Sequence, residues 1–319
     1  MTLPTLEDVA AAREALAGVA IRTPLIRLNG APDGGPQIWL KLENLQPTGS
    51  FKLRGAAAVL ARATADQLAA GIVTASAGNM GLGAAWFARR LGVRCTVLVP
   101  PTAPASKIEA MEAQGATVIR VTHDVWWTAF VNRRAEGIEG VFIHAFDDPR
   151  VMAGNGTIAM EILEDLPATT AILVPWGGGG LTCGIAAVAR ELAPSVRVYA
   201  AEVDTAAPWS AALAAGAPVT VEMAESFVDG IGSRTVLDSM FPRATELGVG
   251  SLVAGVDDVA AALVALLERN HVLAEGAGAT PVACALQPGA FTAADTVVCV
   301  VSGGMIDRST ILDLLSAAG

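Results

Sequence analysis

Short, continuously apolar runs alternate with helical segments along most of the chain. Because these runs are apolar throughout and do not alternate with polar residues, they are typical of parallel strands buried on both faces. The runs predict strands at 71–76, 95–100, 117–121, 141–145, 171–176, 196–202 and 296–302. Between them, apolar residues recur three and four positions apart, and residues 257–270 form an amphipathic helix with an acidic first turn.

The order of these elements predicts an α/β fold with two doubly wound units. One unit spans about residues 70–147, and the remainder of the chain (1–64 and 148–319) forms the other. A chain of 319 residues is long enough for two domains. No repeat, low-complexity tract or flexible linker marks the boundary between them.

Composition and charge exclude some classes of binding partner. The formal net charge of −10 argues against nucleic acid, because phosphate backbones need clustered lysine and arginine. Residues 168–189 are uncharged, but Pro175 and four successive glycines exclude a membrane-spanning helix there. The N-terminus lacks the basic start and apolar run of a signal peptide. The four cysteines form no C-x-x-C pair, so we expect free thiols and a cytoplasmic location.

The segment V-P-W-G-G-G-G-L-T-C-G-I (174–185) joins a predicted strand to a predicted helix. Its four glycines expose backbone N–H groups at a helix N-terminus, where a phosphate is favoured. The alternative is a tight turn that needs glycine only for its backbone conformation. No Walker lysine follows and no G-x-G-x-x-G is completed, so a single phosphate on a small cofactor fits best. Glu202, at the end of the next strand, lies where an acid that binds ribose would be expected. A nicotinamide-dependent dehydrogenase therefore remains an alternative.

Only three lysines occur, so each can be weighed separately. Lys52 lies between apolar neighbours in T-G-S-F-K-L-R-G-A, which suits an amine held away from water for Schiff-base chemistry. Lys41 is compatible with a strand edge. Lys107 lies beside two glutamates and is expected on a solvated helix face. The alternative for Lys52 is an aliphatic stem packed on apolar surface with its ammonium in water.

Six segments in the same order carry a family resemblance. They are residues 41–56 around Lys52, S-A-G-N-M-G (76–81), residues 146–157, G-G-G-G-L (177–181), E-G-A-G-A (275–279) and V-S-G-G (301–304). Together they resemble the pyridoxal-phosphate enzymes of fold type II, in the serine/threonine dehydratase and serine racemase group. The resemblance implies a tryptophan synthase β-like fold and a homodimer. Residues 1–64 and 148–319 would bind pyridoxal 5'-phosphate, and the small mobile domain 70–147 would close over the substrate.

The resemblance also implies residue roles. Lys52 would carry the cofactor as a Schiff base and remove the substrate's α-proton. Phe51 would lie against the cofactor ring, Asn79 would bond its 3-hydroxyl, and Ser302 would face its pyridine nitrogen. The phosphate would be held by backbone amides of Gly177, Gly178, Gly179, Gly180 and Leu181. The substrate carboxylate would be held by the loop Ser76, Ala77, Gly78, Asn79 and Met80.

Several positions depart from the family pattern. Ala77 stands where serine racemases carry a serine that acts as a second base, so racemisation is disfavoured. Met80, Asn155 and Trp176 replace the family's usual residues and leave the substrate side chain open. Two positions match the divalent-ion site of some relatives, but Pro208 replaces its aspartate, so no metal is expected. The Ser302 hydroxyl need not keep the ring nitrogen protonated, so a long-lived carbanion is less favoured. This suits β-elimination, because the leaving group departs soon after the carbanion forms.

The expected activity is β-elimination of a β-hydroxy-α-amino acid such as L-threonine or L-serine, giving a 2-oxo acid and ammonia. Another reaction of the same cofactor, β-replacement or racemisation, is the first alternative. A nicotinamide-dependent dehydrogenase that uses the glycine loop and Glu202 is the second. A binding protein that retains the fold without turnover is the third.

Overall fold

The computed structural model describes residues 2–318, which form ten strands, thirteen α-helices and one short 3-10 helix at Glu43–Leu45. The strands are Leu25–Arg27 (β1), Gln37–Lys41 (β2), Ile72–Ala75 (β3), Cys95–Val99 (β4), Thr117–Arg120 (β5), Val141–Phe142 (β6), Ala171–Pro175 (β7), Arg197–Val203 (β8), Gly250–Ala254 (β9) and Thr296–Val300 (β10). The helices are Leu6–Ala15 (α1), Lys52–Leu60 (α2), Ala65–Ala70 (α3), Asn79–Leu91 (α4), Ala105–Glu112 (α5), His123–Asn132 (α6), Pro149–Asp165 (α7), Gly180–Leu192 (α8), Pro208–Ala215 (α9), Phe241–Glu246 (α10), Val256–Asn270 (α11), Gly276–Ala285 (α12) and Arg308–Ala318 (α13).

The strands form two sheets, which confirms the predicted α/β class. The larger sheet has the order β1-β2-β10-β7-β8-β9 and the smaller has the order β5-β4-β3-β6. All pairings are parallel except that of β1 with β2. The smaller sheet lies within residues 72–142, and the larger draws its strands from both sides of that segment. A mobile role for residues 70–147 stays a prediction.

Alternate residues of the central strands pack into two different cores. Ile172 and Val174 of β7 belong to one buried cluster, whereas Ala171 and Leu173 belong to the cluster on the other face. Because both faces are covered, every residue along the strand is apolar. This explains why the sequence shows continuous apolar runs.

All seven predicted strands are present, and three others were not predicted as strands. The unpredicted strands are β1, β2 and β9, which are short or contain polar residues. The expectation that Lys41 lies at a strand edge is wrong, because β2 pairs with both β1 and β10. The Lys41 side chain is fully buried and its ammonium is ion-paired with Glu161.

Candidate active site

A cavity of about 470 Å³ lies where the carboxyl ends of β3, β7 and β10 meet. Ligand sites in parallel α/β sheets form at this end of the strands, because the loops that follow them carry the functional groups. The cavity brings together all the residues predicted for the site. They are Phe51, Lys52, Ser76, Ala77, Gly78, Asn79, Met80, Gly177, Gly178, Gly179, Gly180, Leu181 and Ser302. The individual roles given to them remain predictions.

Lys52 is the first residue of α2, directly after a turn in which Gly49 has a φ of +71°. The turn is tied to the end of β10, because the Phe51 N–H donates to the Ser302 carbonyl at 3.0 Å. Lys52 Nζ donates to the Ala145 carbonyl at 2.8 Å. Burial lowers the pKa of Lys52 to about 8, against a smaller opposing effect of the Glu275 carboxylate. The neutral amine needed for Schiff-base formation is therefore accessible near neutral pH.

A buried ionic network fixes α2. Arg54 lies in the first turn of the helix and donates to Glu43 at 2.8 Å and to Glu161 at 2.7 Å. Lys41 Nζ lies 2.6 Å from Glu161, which completes a network of two cations and two anions. Because the charges balance, each ion is compensated although it is removed from water. The network holds the helix that carries Lys52 against α7.

The glycine loop is shaped by the aromatic side chains around it. Gly179 has a φ of +86°, which favours glycine. A Cβ at Gly178 would lie 2.1 Å from the Phe146 ring, and one at Gly180 would lie 2.5 Å from the Phe146 carbonyl oxygen. A Cβ at Gly177, by contrast, would meet nothing closer than 3.7 Å. The backbone conformation therefore explains only Gly179 among the four glycines, whereas Gly178 and Gly180 are explained by the close approach of Phe146.

The start of α8 fits a phosphate group. Gly180 begins a helix of thirteen residues, and no side chain caps the helix. The first N–H groups of a helix have no acceptor within it, and the helix dipole favours an anion there. These amides border the same cavity as Lys52. The arrangement suits a phosphorylated cofactor whose reactive end reaches the lysine.

Asn79 and Glu275 form a pair that the sequence did not reveal. The Asn79 side-chain amide donates to both Glu275 carboxylate oxygens, at 2.9 and 3.1 Å. Asn79 Oδ1 is buried without a partner among the described residues, which suits a donor such as a cofactor hydroxyl. Burial raises the pKa of Glu275 to about 7. A Cβ at Gly303 would lie 2.5 Å from the Glu275 carboxylate, so glycine there makes room for the acid.

The loop after β3 presents small groups and backbone to the cavity. Ser76 Oγ accepts from the Gly78 N–H at 3.3 Å, and α4 begins at Asn79 without a side-chain cap. Ala77 adds only a methyl group. Met80 is buried in the core beneath. The free N–H groups at this second helix start suit a carboxylate.

The expectation that Lys107 lies on a solvated face is wrong. Its ammonium lies 2.7 Å from the Asp229 carboxylate and lines the same cavity as Lys52. Its neighbours in sequence, Glu109 and Glu112, gave the misleading signal, because its partner lies more than a hundred residues away. Only the tertiary structure reveals this pair.

Glu202, the acid on which the dehydrogenase alternative depends, is already hydrogen-bonded within the protein. Its carboxylate accepts from the Trp209 and Ser210 N–H groups at 2.7 and 2.8 Å and from Ser251 Oγ at 3.0 Å. Glu202 is buried and caps the start of α9, which begins at Pro208. A carboxylate satisfied in this way is not available to a ribose hydroxyl.

A buried lysine amine, an uncapped helix start that suits a phosphate and two largely parallel sheets are together typical of an enzyme that uses a phosphorylated carbonyl cofactor. The sequence profile of the family described as "Pyridoxal-phosphate dependent enzyme" matches residues 16–303. The chain belongs to this family, and its cofactor is pyridoxal phosphate.

Known proteins similar to this chain support the same family. The L-threonine ammonia-lyase of Geobacter sulfurreducens is 41% identical over 87% of this chain and 69% of its own length. The L-threonine ammonia-lyase of Thermotoga maritima is 37% identical over 96% of this chain and 77% of its own. The solved structure of maize serine racemase superposes with a TM-score of 0.91 at 27% identity, covering 99% of this chain and 98% of that one. The match over both sheets confirms the fold type II architecture.

Proposed function

We propose that this protein catalyses β-elimination of a β-hydroxy-α-amino acid, giving a 2-oxo acid and ammonia. The observation that carries the proposal is Lys52, which lines the cavity with a pKa lowered to about 8 and pairs with no carboxylate in residues 2–318. The names of the two ammonia-lyases above favour this reaction. No helix within the described residues is long and apolar enough to cross a bilayer.

The protein residues divide the work. The bound cofactor supplies an electron sink for the bond that breaks at the substrate Cα. Lys52 would anchor the cofactor, and its amine would be the base that takes the substrate's α-proton. The amides at the start of α8 would hold the phosphate. Asn79, whose amide group donates to Glu275, would accept from the cofactor hydroxyl through its free Oδ1. Ser302, which is buried two residues after the end of β10, would be a neutral partner for the cofactor's ring nitrogen.

The start of α4 would hold the substrate carboxylate. Ser76 and the free N–H groups that follow it offer donors without a full positive charge. Because this loop and Lys52 line the same cavity, a carboxylate held here would bring the substrate's Cα close to Lys52.

Ala77 favours elimination over racemisation. A racemase must protonate Cα from the face opposite to the lysine, and a methyl group has no proton to give. Elimination needs only one base at Cα, and Lys52 supplies it. The expected product is therefore a 2-oxo acid rather than the opposite enantiomer.

We also propose that the chain forms a homodimer through an exposed apolar patch made by Ile21, Leu45 and Leu273. Asn44 donates to the Leu273 carbonyl and Gln46 to the Ile21 carbonyl, so the turn that carries Leu45 touches both. All three apolar side chains are 40% exposed or more. Such a patch is typical of an association surface. Leu45→Glu is expected to halve the mass measured by sedimentation equilibrium, and an unchanged mass would contradict the assignment.

We propose a cytoplasmic location. All four cysteines are free and buried, as expected where thiols stay reduced. Cell fractionation tests this, and recovery of the activity outside the cytoplasmic fraction would contradict it.

Three assays of the purified holoenzyme test the activity. Oxo acid is measured with phenylhydrazine, ammonia with a coupled assay, and enantiomers by chiral chromatography. We expect equal amounts of oxo acid and ammonia and no enantiomer. If the substrate were converted into an equal amount of its enantiomer without release of ammonia, the reaction would be racemisation and not elimination. A new amino acid formed from an added thiol would indicate β-replacement.

A further inference from the structure

A second cavity of about 260 Å³ adjoins the cofactor cavity. The two share Lys52, Phe146, Gly177, Gly178 and the loop from Asp229 to Ile231 as lining residues. The shared wall includes the lysine at which Cα chemistry takes place under the function proposed above. A substituent on the substrate's β-carbon is therefore within reach of this second cavity.

The walls of the second cavity are mainly aromatic. Five aromatic side chains line it, from three separate parts of the chain: Trp126, Trp127, Phe130, Phe146 and Trp176. The other apolar lining residues are Ile231, Val236 and Leu237, and the only charged ones are Lys52 and Asp229. Asp229 is paired with Lys107. Polar groups are fewer: Ser233 and Thr235 also line the cavity, and the indole N–H groups of Trp126 and Trp176 have no partner among the described residues. Most of the surface is aromatic and suits a flat apolar substituent.

Helix α6 supplies three of these side chains because of its spacing. Trp126 and Trp127 lie four and three residues before Phe130, so they share its face of the helix. Ring centroids are 5.6 Å apart for Trp126 and Phe130 and 5.7 Å apart for Trp127 and Phe130, and both pairs are stacked. The helix therefore presents one continuous aromatic surface.

His144 fixes this surface against the cofactor loop. Its ring lies 4.3 Å from the Phe130 centroid and 4.8 Å from that of Phe146. His144 Nδ1 accepts from the Phe146 and Asp147 N–H groups at 3.2 and 2.8 Å. Burial lowers the pKa of His144 to about 4, so the ring stays a neutral acceptor near pH 7. These contacts hold the Phe130 and Phe146 rings together in one wall of the cavity.

The volume suits an aryl ring better than a methyl group. A dry apolar protein cavity of about 150 Å³ is enough to bind benzene. The second cavity is larger than this, so a phenyl ring fits within it. The methyl group of threonine would leave most of the aromatic surface without contact, and the hydrogen on the β-carbon of serine would leave still more.

We propose that the second cavity binds the aryl group of a β-aryl-β-hydroxy-α-amino acid, which makes this class the preferred substrate. This assignment rests on the β-elimination proposed above. The α-C–H bond breaks with its proton passing to Lys52, and the β-C–O bond breaks with the hydroxyl taking up that proton and leaving as water. The resulting enamine takes up a proton at Cβ and is hydrolysed by one water. The net products are the 3-aryl-2-oxo acid and ammonium, without an oxidant or reductant.

Steady-state kinetics of the holoenzyme with 3-phenylserine, L-threonine and L-serine test the preference. We expect kcat/KM for 3-phenylserine to exceed that for L-threonine at least roughly tenfold, since even one buried methylene discriminates to about this extent. A binding measurement avoids any dependence on turnover. L-phenylalanine and L-alanine have no β-hydroxyl to lose, and their Kd values follow from the change in visible absorbance of the holoenzyme. L-phenylalanine is expected to bind at least roughly tenfold tighter.

Trp127→Ala removes part of the wall at an accessible position, because this side chain is 43% exposed. We expect the ratio of kcat/KM for 3-phenylserine to that for L-threonine to fall several-fold, and the advantage of L-phenylalanine over L-alanine to shrink with it. Trp86→Ala is the matched control, because Trp86 lies on α4 and lines neither cavity. It is expected to leave both ratios unchanged.

The outcomes separate the two proposals. Turnover of L-threonine without preference for 3-phenylserine, together with equal Kd values for the two inert amino acids, would overturn the aryl site while β-elimination stands. Absence of oxo acid from every substrate would overturn β-elimination. If L-phenylalanine still bound more tightly in that case and Trp127→Ala removed the advantage, the cavity's specificity for an aryl group would stand.

Discussion

Lys107 Nζ lies 2.7 Å from Asp229 Oδ2, so one of the two lysines that line the cofactor cavity is ion-paired. Lys107 is carried by α5, within the unit of the smaller sheet, and Asp229 lies in the loop between α9 and α10. Lys52 donates to a carbonyl oxygen instead, and it makes no ion pair within residues 2–318. The two amines therefore differ in chemistry although they share a cavity: one is committed to a carboxylate, and the other can form a covalent bond.

Replacing Lys107 tests this division. Lys107→Met is expected to keep the visible absorbance of the bound cofactor and its stoichiometry, because the proposed covalent anchor is Lys52. The Asp229 side chain is half exposed, so loss of the pair should lower the free energy of unfolding by less than about 1 kcal/mol. Absorbance titration and urea denaturation measure the two effects. Loss of the visible band in this variant would contradict the assignment.

The rate at which the apoprotein takes up pyridoxal phosphate should depend on pH through Lys52. Its pKa is lowered to about 8, and only the neutral amine attacks the aldehyde. The rate is expected to rise about tenfold per pH unit below pH 8 and to level off above it. Stopped-flow absorbance between about pH 6 and about pH 10 measures the profile. A rate that goes on rising to the top of this range would show an amine with an unshifted pKa.

Glu275→Gln tests the buried acid. The pKa of Glu275 is raised to about 7, so the folded state binds more protons than the unfolded state between the unfolded pKa and pH 7. The stability contributed by this group is present at low pH and is lost as pH rises through 7. The amide that replaces the carboxyl group cannot ionise, so the variant is expected to gain about 2–3 kcal/mol relative to wild type as pH rises from about 4.5 to about 8. Urea denaturation at several pH values measures the difference, and parallel curves would contradict it.

The ionic network under α2 should be essential for stability. Arg54→Met leaves two buried glutamates with one lysine, which is expected to cost about 3–5 kcal/mol. Arg62→Met is the matched control, because Arg62 forms an exposed pair with Asp8 at 3.1 Å. The control should change the free energy of unfolding by less than about 1 kcal/mol. Equal effects of both substitutions would show that the buried network adds nothing.

Much of the fold was predictable because both faces of each sheet are covered. Continuous apolar runs gave all seven predicted strands, and the order of elements gave the α/β class. Strand β2 was missed because Gln37 and Lys41 interrupt its apolar pattern. The Lys41 charge is compensated by Glu161, which is 120 residues away in sequence. Local pattern does not contain that information.

Only part of the candidate site could be predicted from the sequence. Segments such as S-A-G-N-M-G and the glycine run lie at the ends of strands, and their predicted site residues all line one cavity. The Asn79–Glu275 pair and the Lys107–Asp229 pair join residues far apart in sequence, so no local motif predicts them. The aromatic cavity was not predicted. Trp126, Trp127 and Phe130 share a helix face because of their spacing, but only the fold places that face beside Lys52.

The most direct test of the central claim is to locate the covalent anchor. Holoenzyme reduced with borohydride is digested, and the modified lysine is identified by mass spectrometry. The structure predicts a visible absorbance band that reduction abolishes and a pyridoxyl group on Lys52 alone. A label on Lys107 or Lys41, or a colourless protein that pyridoxal phosphate does not reconstitute, would contradict the account.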